Sequence, residues 1–156
     1  MKALSQTNEE TEMTNANSEA DIRQTIEARA NAARKGDVDA IMANVSSDAM
    51  VFDVVDPLRQ WGKLLSRERA TAWVGSYDGP IGLEVRDLQI SVDGEVAFSH
   101  ALSHVTGTLK TTAKVDMWFR TPLGLRRIEG RWLIVHDHGS VPFGPKSGKV
   151  SLALKP

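Results

Sequence analysis

The spacing of apolar residues changes once along the chain, near Ile81, from helical steps of three and four to strand steps of two. Ahead of the change, Ile22, Ile26, Arg29 and Ala33 form one inward stripe. That stripe predicts a helix over residues 19–35, with Ser18 as its N-cap and Gly36 as its terminator. The guanidinium of Arg29 is out of place among these apolar positions. Asp37 caps a short second helix whose buried side is Val38, Ile41, Met42 and Val45, and a strand follows over 49–54. Residues 55–65, with Pro57, Trp61 and Gly62, read as a loop. Ser66 then caps a third helix with the stripe Ala70, Trp73, Val74 and Tyr77, which Gly79-Pro80 closes.

Past Ile81 a strand over 83–92 alternates around Asp87, Asp93-Gly94 predicts a tight turn, and 95–106 returns as the hairpin partner. A long strand over 112–128 follows, interrupted at Thr121-Pro122, which marks an edge or a bulge. Glu129-Gly130 turns into the densest run of strand formers, GRWLIVHDHGSVP at 130–142. Strict alternation puts Trp132, Ile134, His136 and His138 on one face of it and Leu133, Val135 and Asp137 on the other. Both faces begin apolar, so this strand is expected to be covered on both sides, with His-Asp-His leading to a pocket mouth or an interface. Helices first and strands second is the order of an α+β domain with helices on one face of an antiparallel sheet.

Composition narrows the classes. A chain of 156 residues fits one domain able to bury its own core. Residues 1–17 are dominated by Ser, Thr, Asn, Gln and Glu and are expected to form a mobile tail, leaving 18–142 as the folded body. Residues 143–156 read as a tail, or as an edge strand through the alternation of Val150, Leu152 and Leu154. With no cysteine there is no thiolate metal site, cysteine nucleophile or redox switch. The net charge of -1 offers no field for nucleic acid or an anionic membrane, and no apolar run approaches a membrane span. Neither partner is expected, and the expected location is cytoplasmic.

The four histidines fall in two pairs, 100/104 and 136/138, each on one face of its strand. The two strands are separated by a third and the pairs face opposite sides, so no metal site is expected. Nucleophile-elbow and phosphate-loop signatures are both absent from the sequence, and no cofactor is expected.

Three segments carry a resemblance: GDVDAIMANVSSDAMVFD at 36–53, VDGEVAFSH at 92–100 and LRRIEGRWLIVHDHGSVP at 125–142. Over about residues 21–142 the chain resembles SnoaL-like and ketosteroid-isomerase-like domains of the nuclear transport factor 2-like superfamily. The resemblance implies a cone-shaped, curved antiparallel sheet with three N-terminal helices on its concave face. It also implies a small-molecule pocket inside the cone and a homodimer across the sheet.

By the same resemblance Asp53 falls on the isomerase's proton-shuttling carboxylate, and Asp116 lies near its proton-donating acid. Arg29 stands where the isomerase keeps a tyrosine. The isomerase sets a neutral Tyr and a protonated Asp on the enolate oxygen, so a permanent cation at residue 29 makes a different pocket. Phe98, His100, Leu102 and His104 are placed toward the pocket, as are Trp61 and the shared face of Asp116, Trp118 and Arg120. Asp137 is expected to point inward. This yields a polar, charged interior, with Asp53, Arg29, His100 and Asp116 as catalytic candidates. Trp61, Phe98, His104, Trp118, Arg120 and Asp137 are the substrate-binding candidates. Two functions fit: proton transfer next to a carbonyl, as in an isomerase, cyclase or dehydratase, or non-catalytic binding of an acidic metabolite in an Arg-lined pocket.

Overall fold

The computed structural model describes the backbone of residues 2–156 and the side chains of residues 14–156. Among the described residues the chain order is α1 (Lys2–Lys35), α2 (Val38–Met42), β1 (Val45–Phe52), β2 (Gln60–Trp61) and α3 (Lys63–Gly75), then five strands. These are β3 (Gly82–Asp93), β4 (Val96–Thr108), β5 (Lys114–Arg120), β6 (Leu123–Ile128) and β7 (Arg131–His138). They build one curved, unclosed sheet in the order β2-β1-β7-β6-β4-β3, with β5 also paired to β4. Pairing is antiparallel throughout except between β1 and β7.

The helical stripe of α1 is as the spacing predicts, with Ile22, Ile26 and Ala33 buried. The helix begins far ahead of Ser18, however, because neither Gly nor Pro interrupts the sequence from Lys2 to Lys35. Ser18 is therefore a buried residue inside the helix and not its cap. The expectation of a mobile tail over 1–17 falls largely outside the described side chains. Asp37 does cap α2, accepting a hydrogen bond from the Ala40 amide at 3.0 Å. Val45, expected on that helix, instead opens β1. Likewise Gly62 and not Ser66 stands at the start of α3, and the Ser66 hydroxyl donates back to the Gly62 carbonyl at 3.0 Å.

The predicted long strand is divided at Thr121-Pro122, since proline cannot donate to a ladder. Its first half, β5, pairs with Leu102–Thr108 of β4, and its second half, β6, pairs with Val96–Ser99 of the same strand. Glu129 and Gly130 both take positive φ, 51° and 76°, the two-residue turn that matches strand twist. In β7 the alternation breaks: Leu125 faces Ile134, but Gly124 faces His136, leaving Val135 as a bulge. Ile134 and Asp137, an odd number of residues apart, consequently share the inner face. At the C-terminus a single bridge, Phe143 to Val150, is the only ladder contact among the described residues of 143–156, which form no strand.

The core falls into three clusters: Ile22, Leu125, Trp132 and Ile134 at one end; Ala33, Ile41, Met42 and Ala49; and Tyr77, Ile81 and Val105, the last two clusters bridged by Trp73, Val74 and Leu83. At that last end Tyr77 lies edge-on to Trp73 with ring centroids 5.5 Å apart. Its own ring rests on the bare backbone of Gly107, where a methyl group would stand 2.7 Å from two ring carbons. Gly107→Ala is expected to lower stability by about 1–3 kcal/mol through overpacking. Urea denaturation checks this, and an unchanged midpoint would show that the ring shifts freely.

Candidate active site

Between the helices and the concave face of the sheet lies a cavity of about 470 Å³, within the range that suits a small organic ligand. Its space comes from small side chains on facing elements: Ala30 and Ala33 of α1, Ala49 of β1, and Ser99, Ala101 and Ser103 of β4. Most of the remaining wall is apolar, including Ile26, Val51, Trp73, Val105, Met117 and Phe119.

Charge enters this apolar wall as two arginine–aspartate pairs. Arg29 Nη2 from α1 stands 2.6 Å from Asp137 Oδ2 at the end of β7. Arg69 from α3 forms an ion pair with Asp53, the first residue after β1. The four side chains keep 20–29 % of their surface accessible, so the charges are grouped where water still reaches. Burial pushes the Asp53 carboxyl above its ordinary value. The Arg69 guanidinium and then the Val54 amide, which donates to Asp53 Oδ1 at 2.5 Å, pull it back, while the Asp137 charge adds to the rise. Gly139 closes this corner, its amide donating to the Phe52 carbonyl at 2.8 Å.

Of the expected site residues, Arg29, Asp53 and Asp137 line the cavity, and the other seven do not. On β4 the inner positions are Ser99, Ala101, Ser103 and Val105, so Phe98, His100 and His104 point to the opposite face. Register carries the same correction to β5: Val115, Met117 and Phe119 face in, while Asp116, Trp118 and Arg120 face out. Because the side-chain period is two, one wrong choice of phase inverts every member of a strand. Trp61, on β2, is 62 % exposed.

The outward set has its own order. His104 stacks on Trp118 with centroids 4.5 Å apart and donates to or accepts from Asp116 at 2.7 Å, with the Arg86 guanidinium 4.7 Å from the same indole. The His104 hydrogen bond holds the exposed Asp116 carboxyl below its ordinary value. The interior is thus mainly apolar with two charge pairs, not the broadly charged interior expected from the sequence.

Arg69 is the site residue that the sequence reading misses. A signal existed, since Ser66, Arg69, Trp73 and Ser76 follow helical steps of three, four and three and all line the cavity. Among the described residues no group of three His, Asp or Glu side chains is placed to hold a metal ion.

A family model for the SnoaL-like domain matches residues 22–144. Among solved structures, an NTF2-like protein of unknown function from Pseudomonas putida KT2440 is 29% identical. The likeness covers 90% of this chain and 98% of that one, with a TM-score of 0.83. A candidate scytalone dehydratase from Novosphingobium aromaticivorans DSM 12444 shares the fold at 8% identity, with a TM-score of 0.74 over 86% and 88% of the two chains. A candidate ketosteroid isomerase from Shewanella frigidimarina NCIMB 400 shares it at 19% identity, with a TM-score of 0.64 over 75% and 92%. No curated protein matches the chain.

The pairing of Asp53 with Arg69 has a pH signature. Arg69→Met removes the cation that offsets Asp53 desolvation, so the carboxyl pKa should rise further and the ionised form should cost about 1–3 kcal/mol of stability at neutral pH. A group with a raised folded-state pKa binds more protons folded than unfolded, so stability falls as pH rises through that window. The gap between variant and wild type should therefore be widest at neutral pH and close on acidification. Urea midpoints across the acidic range test this; a gap independent of pH would mean Arg69 acts only by packing.

Proposed function

The chain belongs to the SnoaL-like domain family, and on that premise we propose that it catalyses proton transfer next to a carbonyl in a small, mainly apolar ring compound. Asp53 is the general base, and the observation that carries the reading is its position. It is a carboxylate with a raised pKa on the wall of an apolar cavity, ion-paired with Arg69 and close to Asp137, which holds Arg29. Partial desolvation makes a carboxylate more basic. Asp53 takes a proton from the carbon α to the carbonyl, and the electron pair moves onto the carbonyl oxygen. Arg29, held in place by Asp137, stabilises the developing oxyanion, as a fixed cation in a weakly solvated site can. Returning the proton to a different carbon gives an isomerisation. Expelling a β-hydroxyl, which leaves as water with that proton, gives a dehydration.

Capture of an acidic metabolite fits this cavity less well. Arg29 and Arg69 are each already paired with an aspartate, so the four charges cancel. Arg120, which would have added a cation, faces the other side of the sheet.

The test is Asp53→Asn assayed on keto-steroids, aromatic polyketides and small keto acids. Turnover of the accepted substrate should fall about 100-fold or more, with the fold kept. For the wild-type protein, kcat/KM should fall as pH drops through the raised Asp53 pKa, because only the ionised carboxylate is a base. Unchanged activity in the variant would reject the catalytic role.

The proposal extends to a homodimer through the outer face of the sheet. Val96 and Phe98 are 57 % and 56 % exposed there, in one field with Phe52 and the His104–Trp118 stack. Light scattering at micromolar concentration should give twice the monomer mass of 17.1 kDa; a strict monomer would overturn this.

A further inference from the structure

Three buried side-chain polar atoms lack a hydrogen-bond partner among the described residues: Gln60 Oε1, Ser99 Oγ and Trp132 Nε1. Of the three residues, Ser99 alone lines the main cavity. It has no accessible surface, and its neighbours on the inner face of β4, Ala97 and Ala101, are small and apolar. The contrast with Ser103, four residues along the same face, is direct. That hydroxyl also lines the cavity but is satisfied by Thr121 Oγ1 at 2.7 Å. A buried hydroxyl without a partner costs about 1–3 kcal/mol, and alanine at this position would have avoided that cost. The Ser99 hydroxyl thus carries hydrogen-bonding capacity that the described residues leave unused.

Register locates the residue relative to the chemistry. Ser99 is paired with Leu123, and Leu123 with Asp137, so all three stand in one row across the concave face. Two strand spacings separate Ser99 from Asp137, roughly 10 Å. We propose that Ser99 is a substrate-positioning residue whose hydroxyl binds an oxygen function at the end of the ligand remote from the reacting carbonyl. The inference rests on the catalytic reading of the same cavity and narrows its substrate class. The ligand is an apolar ring skeleton with oxygen functions at opposite ends, a carbonyl beside Arg29 and Asp53 and a hydroxyl or second carbonyl at Ser99. Because Ser99 has no accessible surface, its hydroxyl must turn toward the lumen on binding, by rotation about χ1 between staggered positions.

The experiment uses a matched pair of probes: acetylnaphthalene, and acetylnaphthalene bearing a hydroxyl at the opposite end of the ring system. Affinities are measured by calorimetry on Asp53→Asn protein with and without Ser99→Ala, so that binding is read apart from turnover. The hydroxylated probe should bind about 3- to 10-fold more tightly when Ser99 is present, the worth of one neutral hydrogen bond. Ser99→Ala should abolish that preference, leave the affinity for the plain probe unchanged and not lower the melting temperature. A preference that survives Ser99→Ala, no preference at all, or failure of both probes to bind would overturn the proposal. A melting temperature lowered by Ser99→Ala would overturn it too, since the hydroxyl would then be satisfied within the fold. Loss of the preference together with full activity of Asp53→Asn in the turnover assay would keep the anchor and reject the catalytic base instead.

Discussion

The cavity exists because facing elements carry side chains too small to meet. Protein interiors pack to crystal-like density, and an α+β domain of this size would normally close its helices onto its sheet. Here Ala30 and Ala33 on the helix side face Ser99, Ala101 and Ser103 on β4. The helices are held off by larger contacts at either end, Ile22 and Ile26 against Trp132 and Leu125, and Trp73 with Tyr77 against Val105. The fold is thus clamped at two ends with space between them.

That space sets the terms for every charge placed in it. A carboxylate facing an apolar wall loses hydration, and an adjacent guanidinium recovers part of the loss. Both aspartates in the cavity have such a partner, each reached from a different helix: Arg29 from α1 for Asp137, and Arg69 from α3 for Asp53. The pairs do two things at once. They tie both helices to the strand ends, and they leave Asp53 with a pKa that burial raises and its neighbouring guanidinium draws partly back. Structure and chemistry draw on the same two contacts.

The outer face follows a different logic. There the sheet gathers an indole, an imidazole and a guanidinium in one stack, with Glu84 and Asp116 at its flanks. Each charged group has a partner and solvent access, so these contacts cost little to hold and are individually weak. The residues that looked most chemical in the sequence, the His100/His104 pair with Asp116, belong to this surface.

What the sequence determined by itself was whatever depends on local spacing. The stripe of α1 with Arg29 in it, the Asp37 cap, a tight turn directly after Asp93 (at Gly94-Glu95, one residue later than the dipeptide suggests), the turn at Glu129-Gly130, the break at Thr121-Pro122 and the α+β order are all legible in residues close together along the chain. So was the arrival of Asp53 at a strand end. Ser18 and Ser66 look like caps in the sequence but lie inside helices, because a serine is equally at home in a cap and within a helix. Only the tertiary structure decided which face of each strand looks inward. Alternation fixes that residues 98, 100, 102 and 104 share a face but carries no information about which face it is; pairing register and the approach of the helices supply that. The bulge at Val135 shows the same limit, since one unpaired residue turned Asp137 into the cavity beside Ile134. For Arg69 the helical spacing with Ser66, Trp73 and Ser76 marks its face, but its partner Asp53 lies on another element, and an ion pair between distant segments leaves no spacing in the sequence to read.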